Sequence, residues 1–188
     1  MAKPIPVEIR TKRTLIRVLA PEQAILRQRY FIENQRHLSP WEPRKPPQAM
    51  NLGFWTQFLL NTNQQYAEGS LLPLTALTPD ESQVIATCNF SNIVYGVFQA
   101  CHLGYSVAAS HQGKGIMYEV ATAAIEYLFE RYQLHRIMAN YIPTNQRSAV
   151  LLKRLGFVKE GYAKSYLKIN GRWQDHVLTS LINPAHKS

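Results

Sequence analysis

Two stretches of this chain place reactive or ligand-holding residue types at meaningful spacings. The first is Ser110-His111-Gln112-Gly113-Lys114-Gly115-Ile116-Met117, which follows Tyr105-Ser106-Val107-Ala108-Ala109 and opens a long amphipathic run. Strand, glycine-rich turn and helix start, in that order, aim free backbone N–H groups at an anion. The helix dipole adds about half a positive charge there. Glycine lets the backbone approach a phosphate with no Cβ in the way. The turn is not a Walker A loop, because Gly115 and not Ser or Thr follows Lys114. It is not a dinucleotide fingerprint either, because Tyr118 stands at the third glycine position. Taken alone, it is as well explained by a turn that simply needs glycine. The second stretch is Pro143-Thr144-Asn145-Gln146-Arg147-Ser148-Ala149, running on to Leu155-Gly156-Phe157. Asn145 reads there as a helix N-cap with Ser148 three residues on, or as one of two polar groups offered to a ligand.

Other residues carry less chemistry. The histidines at 37, 102, 111, 135, 176 and 186 show no metal-ligand spacing, so no metal site is expected. Cys88 and Cys101 fall on neighbouring strand segments and read as small buried hydrophobes. Trp41 suits packing or stacking on a bound chain, and Tyr162, Tyr166 and Trp173 suit a core or groove wall.

The elements that must position these groups follow from composition and periodicity. With 188 residues, 46% of them apolar and 18% charged, the chain can bury a sizeable core and is expected to form one domain over residues 1–188. No apolar run approaches the roughly 18 residues of a membrane span. The first eight residues lack the apolar stretch of a secretory signal, so a cytoplasmic protein is expected. The net charge is +9, yet residues 61–110 hold no Lys or Arg, so the basic character lies toward the two ends. Such surfaces attract anionic partners, RNA included, although a merely solvated basic face is the simpler reading.

Residues 7–19 read as a strand pair or one long strand, 21–37 and 50–66 as helices, and 71–77, 84–94 and 98–109 as strands. Residues 114–132 carry the clearest helical stripe, with Ile116, Val120, Ala124 and Leu128 four apart. Residues 135–142 read as a strand stopped by Pro143, and 145–155 as a short helix closed by Gly156. Asn170-Gly171 marks a final hairpin.

This succession resembles the acetyl-CoA-binding core of the GNAT acetyltransferase superfamily. The likeness extends, in the right order, to the RimJ/RimL-type N-acetyltransferases of ribosomal proteins. It is carried by the glycine turn, Met138-Ala139-Asn140-Tyr141, Asn145-x-x-Ser148, Leu155-Gly156-Phe157, Glu160-Gly161-Tyr162-Ala163 and Trp173-x-Asp175-His176. Lys12-Arg13-Thr14-Leu15-Ile16-Arg17 and Pro40-Trp41-Glu42-Pro43 add to it. The resemblance implies an α/β (α+β) GNAT fold. Its central sheet is mixed and mostly antiparallel, with about seven strands flanked by about four helices and splayed at the acetyl-CoA site.

It further implies cofactor contacts from the Val107 backbone, from Gln112, Gly113, Lys114, Gly115, Ile116 and Met117 around the pyrophosphate, and from Asn145 on the pantetheine arm. Ser148 is implied to stabilise or protonate the departing thiolate. Three positions depart from the pattern: Ser110 where many members begin the turn with Gln or Arg, Leu152 where they keep a tyrosine acid, and Asn140 where some keep a glutamate. The basic carboxylate proposed for RimL falls on Leu167. Glu42, Glu160 or a water is left as the base.

The activity implied is transfer of acetyl from acetyl-CoA to the N-terminal α-amine of a ribosomal protein beginning with Ala or Ser. Direct attack is expected, since neither cysteine lies in the motifs. The alternatives are a small-amine (polyamine or antibiotic) acetyltransferase and a ribosome- or RNA-associated factor, as a monomer or homodimer.

Overall fold

The computed structural model describes residues 7–186; residues 1–6, which carry most of the segment read above for a leader, and residues 187–188 lie outside it. In chain order the elements are β1 (Glu8–Arg10), β2 (Leu15–Val18), α1 (Ala24–Leu38), α2 (Leu52–Ala67), β3 (Leu72–Leu77), β4 (Val84–Val94) and β5 (Ala100–Val107). After these come α3 (Ile116–Tyr132), β6 (Arg136–Met138), α4 (Gln146–Arg154), β7 (Val158–Ile169) and β8 (Arg172–Ile182). Among the described residues the sheet has eight strands, in the order β1-β2-β3-β4-β5-β6-β8-β7. One strand more than expected arises because residues 7–19 fold back on themselves, pairing Ile9 with Ile16. All neighbours are antiparallel except β5 and β6, which α3 connects. A parallel pair needs such a long crossover.

Strand alternation assigns the helices to faces. Thr87 and Ser106 hydrogen-bond to each other (2.8 Å), and Ser106 also bonds the Tyr30 hydroxyl of α1 (2.8 Å). Their sequence neighbours Cys88 and Tyr105 therefore face the other way. That second face packs on α3 and α4 through Val120, Ala124, Leu128 and Leu152. On the first face, Tyr30 and Phe31 of α1 and Trp55 and Leu59 of α2 cluster with Leu19, Leu77, Val84 and Ala108. No helix among the described residues is long and apolar enough to cross a membrane.

Two local devices shape the site's surroundings. The final hairpin turns through Asn170 (φ 45°) and Gly171 (φ 82°), the left-handed pair that a two-residue hairpin of this kind demands. The proline-dense segment between α1 and α2 is pinned at two points. The Trp55 indole N–H donates to the Ala49 carbonyl (2.8 Å), and the Asn170 N–H donates to the Glu42 carbonyl (3.1 Å).

Trp55 is fully buried, with Phe31, Phe54 and Phe58 rings 5.3–5.4 Å away. Trp55→Phe keeps an aromatic ring but leaves the buried Ala49 carbonyl without its donor. A loss of roughly 1–3 kcal/mol is expected. Urea denaturation measures it, and an unchanged midpoint would show that the indole N–H anchors nothing.

Candidate active site

The site is built around a parting of strands. β5 and β6 pair only at Ala100–Arg136, Cys101–Ile137 and His102–Met138. Beyond that point the chain after β6 stays with β8: Ala139 N–H donates to Thr179 C=O (3.0 Å), and Tyr141 and Val177 exchange both backbone bonds. The strand expected over residues 135–142 is therefore cut to three residues, because its second half leaves β5. β5 itself continues to Val107, so a wedge opens along Leu103–Val107. Register shows what lines it. Val107 lies opposite Ala86, and Ala108 N–H donates to Ile85 C=O (2.9 Å). Val107 thus occupies a non-hydrogen-bonded position of the β4–β5 ladder. Its own N–H and C=O, and those of Tyr105, point away from β4 into the wedge.

At the far end of β5 lies the glycine turn. Gly113 (φ 70°) and Gly115 (φ 74°) both take the left-handed conformation that side chains rarely adopt. A Cβ at Gly113 would meet no protein atom within 4 Å. The α3 N-terminus has no side-chain cap, so its first N–H groups remain for a ligand. Arg13, in the β1–β2 turn, holds this arrangement. Its Nη1 donates to the Lys114 carbonyl (2.7 Å), and its Nε and Nη2 reach the Glu119 carboxylate (2.7 Å each). The Arg13 backbone N–H also bonds Glu119 (2.9 Å). Burial works to raise the Glu119 pKa, but the hydrogen bonds from Thr11 and Arg13 and the Arg13 charge outweigh it and hold the carboxyl below its ordinary range. Glu119 sits in the first turn of α3, where its charge would repel a bound phosphate; Arg13 cancels that charge.

α4 brings in the second stretch. Asn145 is the N-cap, its side-chain oxygen accepting the Ser148 N–H (3.1 Å). The capping geometry is thus present, and it turns the Ser148 hydroxyl toward β5, where it bonds the Tyr105 phenol (2.6 Å). Burial pushes the Tyr105 pKa up to about 12, although the Ser148 bond works to lower it. Tyr105 therefore stays a protonated donor at neutral pH. Nothing in the sequence reading singled it out, yet it shares its strand face with Val107, two residues on. Gln112 ties three elements together: its side chain bonds His37 at the end of α1 (2.8 Å) and accepts from Arg147 of α4. Leu152, where a tyrosine was sought, is buried in the core.

The proposed bases lie apart from this pair. Glu160 accepts from Ser180 (2.6 Å) and ion-pairs with Arg136. The Ser180 bond first, and the Arg136 charge after it, hold its carboxyl below the ordinary range. Glu42 sits in the α1–α2 loop, lining a cavity with Leu38, Lys45 and Met50. Asn140 bonds the Tyr166 hydroxyl (3.3 Å) and the Thr179 N–H (3.3 Å), while Leu167 is exposed. Cys88 and Cys101 are free and buried, and burial pushes both thiols up to about 12, so neither is a ready nucleophile.

A sheet wedged open beside an anion-cradling turn, with hydroxyl donors inside the wedge, defines a group-transfer site for an extended anionic donor. Residues 13–158 match the model of the acetyltransferase (GNAT) domain family, and the chain belongs to that family. It is 46% identical over 178 residues to the ribosomal protein uS5-alanine N-acetyltransferase of Escherichia coli (strain K12), covering 95% of this chain and 92% of that protein. The solved ribosomal-protein-S5-alanine acetyltransferase of Vibrio fischeri superposes with a TM-score of 0.91 at 40% identity, covering 97% of this chain and all of that one (100%). RimJ of Mycobacterium smegmatis, solved with CoA-disulfide, gives a TM-score of 0.86 at 25% identity, covering 97% and 89%.

The Tyr105–Ser148 bond makes a titration prediction. With tyrosine ring-carbon labelling, and Tyr105→Phe to assign the signal, the Tyr105 phenol should not ionise below about pH 11. Ser148→Ala, which removes a bond that lowers its pKa, should move the transition higher still. Ionisation at or below pH 10 would show that the phenol is not desolvated as described.

Proposed function

We propose that this chain, acting as a single catalytic domain in the cytoplasm, transfers acetyl from acetyl-CoA to the N-terminal α-amine of a ribosomal protein. A small-subunit protein beginning with Ala or Ser is the acceptor favoured. One observation carries the reading: the β5–β6 wedge runs from a glycine turn with open left-handed positions to a paired serine and phenol. Its support is the 46% identity over 95% of the chain to a uS5-alanine N-acetyltransferase.

Each residue then has a physical task. The N–H groups of Gln112 through Met117 take the pyrophosphate, and the outward N–H and C=O of Val107 and Tyr105 pair with the pantetheine amides. The Asn145 side chain, its oxygen already engaged as a cap, offers its amide N–H₂ to the same arm. The neutral amine attacks the thioester carbonyl; a tetrahedral intermediate forms and collapses, and the C–S bond breaks. The Ser148 hydroxyl, donating toward sulfur and backed by the Tyr105 phenol, stabilises the thiolate as its charge develops. Glu160, stabilised as a carboxylate by Ser180 and Arg136, is a poor proton acceptor. An α-amine with a pKa near 8 needs little help, and Glu42 or water suffices to take its proton.

Incubation with acetyl-CoA and a panel of N-terminal peptides, read by mass spectrometry, tests the acceptor. Peptides starting with Ala or Ser should gain one acetyl group, and Nα-blocked peptides should gain none. Lysine side-chain acetylation at a comparable rate would rule out N-terminal specificity.

Ser148→Ala tests the leaving-group role. A hydrogen bond that strengthens in the transition state should cost roughly ten- to a thousand-fold in kcat, with a much smaller change in KM. A kcat within about twofold of the parent, in a variant folded by circular dichroism, would reduce Ser148 to a helix-start residue.

A further inference from the structure

The face of the sheet opposite Ser148 holds a cavity of about 370 Å³ between α2 and strands β3 to β5. Its walls are mainly apolar, with Leu19, Phe58, Leu59 and Leu71 among them, while Thr87, Asn89 and Ser91 set hydroxyl and amide groups on the sheet side and Gly104 of β5 borders it. A Cβ built on Gly104 meets no atom within 4 Å, so the floor beside β5 is left open. Arg27 of α1 reaches this cavity. Its guanidinium lies over the Tyr30 and Trp55 rings, 5.1 Å from each centroid. Among the described residues no salt bridge or hydrogen bond engages it. Burial lowers its pKa from the ordinary value, against the opposing influence of Tyr30 and Glu42. Half-buried at the cavity and without a hydrogen-bonded counter-ion, the guanidinium keeps its N–H donors for a ligand or water. The two rings take up part of its charge through their π faces, and its N–H edge is a fork that matches a carboxylate.

We propose that this cavity receives an acidic side chain of the acceptor, with Arg27 binding its carboxylate. The inference rests on the acetyltransferase reading above. The two sites share β5: Tyr105 faces Ser148, while Gly104 and Ser106 face the cavity side, so the cavity lies against the same strand that borders the wedge. The attacked amine is not the occupant, because a protonated amine is repelled by Arg27. The acidic group must lie a few residues along the same chain, close enough to enter while the amine reaches the thioester. Lys45, which lines the separate α1–α2 loop cavity with Glu42, is also desolvated and feels both Glu42 and Arg27.

Calorimetry with CoA present tests the assignment without relying on turnover. The acceptor peptides begin with Ala and carry a single Glu at each of positions two to six, each paired with its Gln counterpart. The parent should bind one Glu peptide about tenfold more tightly than its Gln partner, a difference worth about 1.4 kcal/mol. Arg27→Met, which keeps the apolar stem against Tyr30 and Trp55, should erase that difference and leave CoA affinity unchanged. Arg27→Lys, which keeps the charge and loses the fork, should retain only part of it; should Arg27→Met fail to fold, Arg27→Lys decides the matter by the same comparison. No Glu–Gln difference at any position in the parent, or a full difference in the variant that folds, overturns the proposal. Glu-dependent binding erased by Arg27→Met, without any acetyl transfer, would overturn the acetyltransferase reading and leave the carboxylate site standing.

Discussion

The rest of this structure depends on β5 and β6 ceasing to pair after three residue pairs. Buried backbone N–H and C=O groups must find partners, and a sheet normally supplies them by continuing its ladder. Here one strand's groups are kept by its other neighbour: Ala139 and Tyr141 bond Thr179 and Val177 of β8, and the Asn140 side chain takes the Thr179 N–H. Among the described residues β5 receives no such replacement on its outer side beyond His102. Its groups at Tyr105 and Val107 form a preset strand edge inside the molecule. That edge is matched in chemistry to an extended chain carrying amides, which would pair with it as another strand does.

Charge placement at the α3 N-terminus follows from the same arrangement. An acidic residue in a first turn favours the helix by complementing its dipole. Glu119 does so, but an anionic ligand at the turn would meet that negative charge. Arg13 removes the conflict by giving the carboxylate two side-chain donors, while its remaining arm fixes the Lys114 carbonyl between the two glycines. The helix keeps its acidic first turn, and the turn keeps its attraction for phosphate.

What the sequence disclosed is what local physics decides. The glycine turn, the α3 stripe, the Asn145 cap and the Asn170-Gly171 hairpin each depend on a few adjacent residues, and each stands where its pattern placed it. The end of β6 does not: residues 139–142 have strand composition, and only the competition between β5 and β8 for their backbone sets where pairing stops. Arg13 was invisible as a support because its partners lie 101 and 106 residues away. Tyr105 was on the page as the first residue of the turn segment. Its role follows from the parity it shares with Val107 and from α4 crossing above it, and no spacing in the sequence records that crossing. At position 152 α4 turns a leucine into the core, and the phenol that bonds Ser148 belongs to Tyr105 on the strand beneath.

One strand thus serves two chemistries by alternating. Tyr105 and Val107 face the ligand wedge and α4; Gly104 and Ser106 face α1 and the opposite cavity. The elements on that second side are joined to one another through the Trp55 anchor on Ala49 and to the last hairpin through the Asn170 bond to Glu42, and α1 is tied to β5 and the turn segment by Tyr30–Ser106 and by the Ala109 N–H to Asn34. The glycine turn is also braced by Arg13 from the far edge of the sheet. Gln112 adds a further link, bonding His37 of α1 and Arg147 of α4, so a displacement of α1 is passed to the glycine turn and to α4 together.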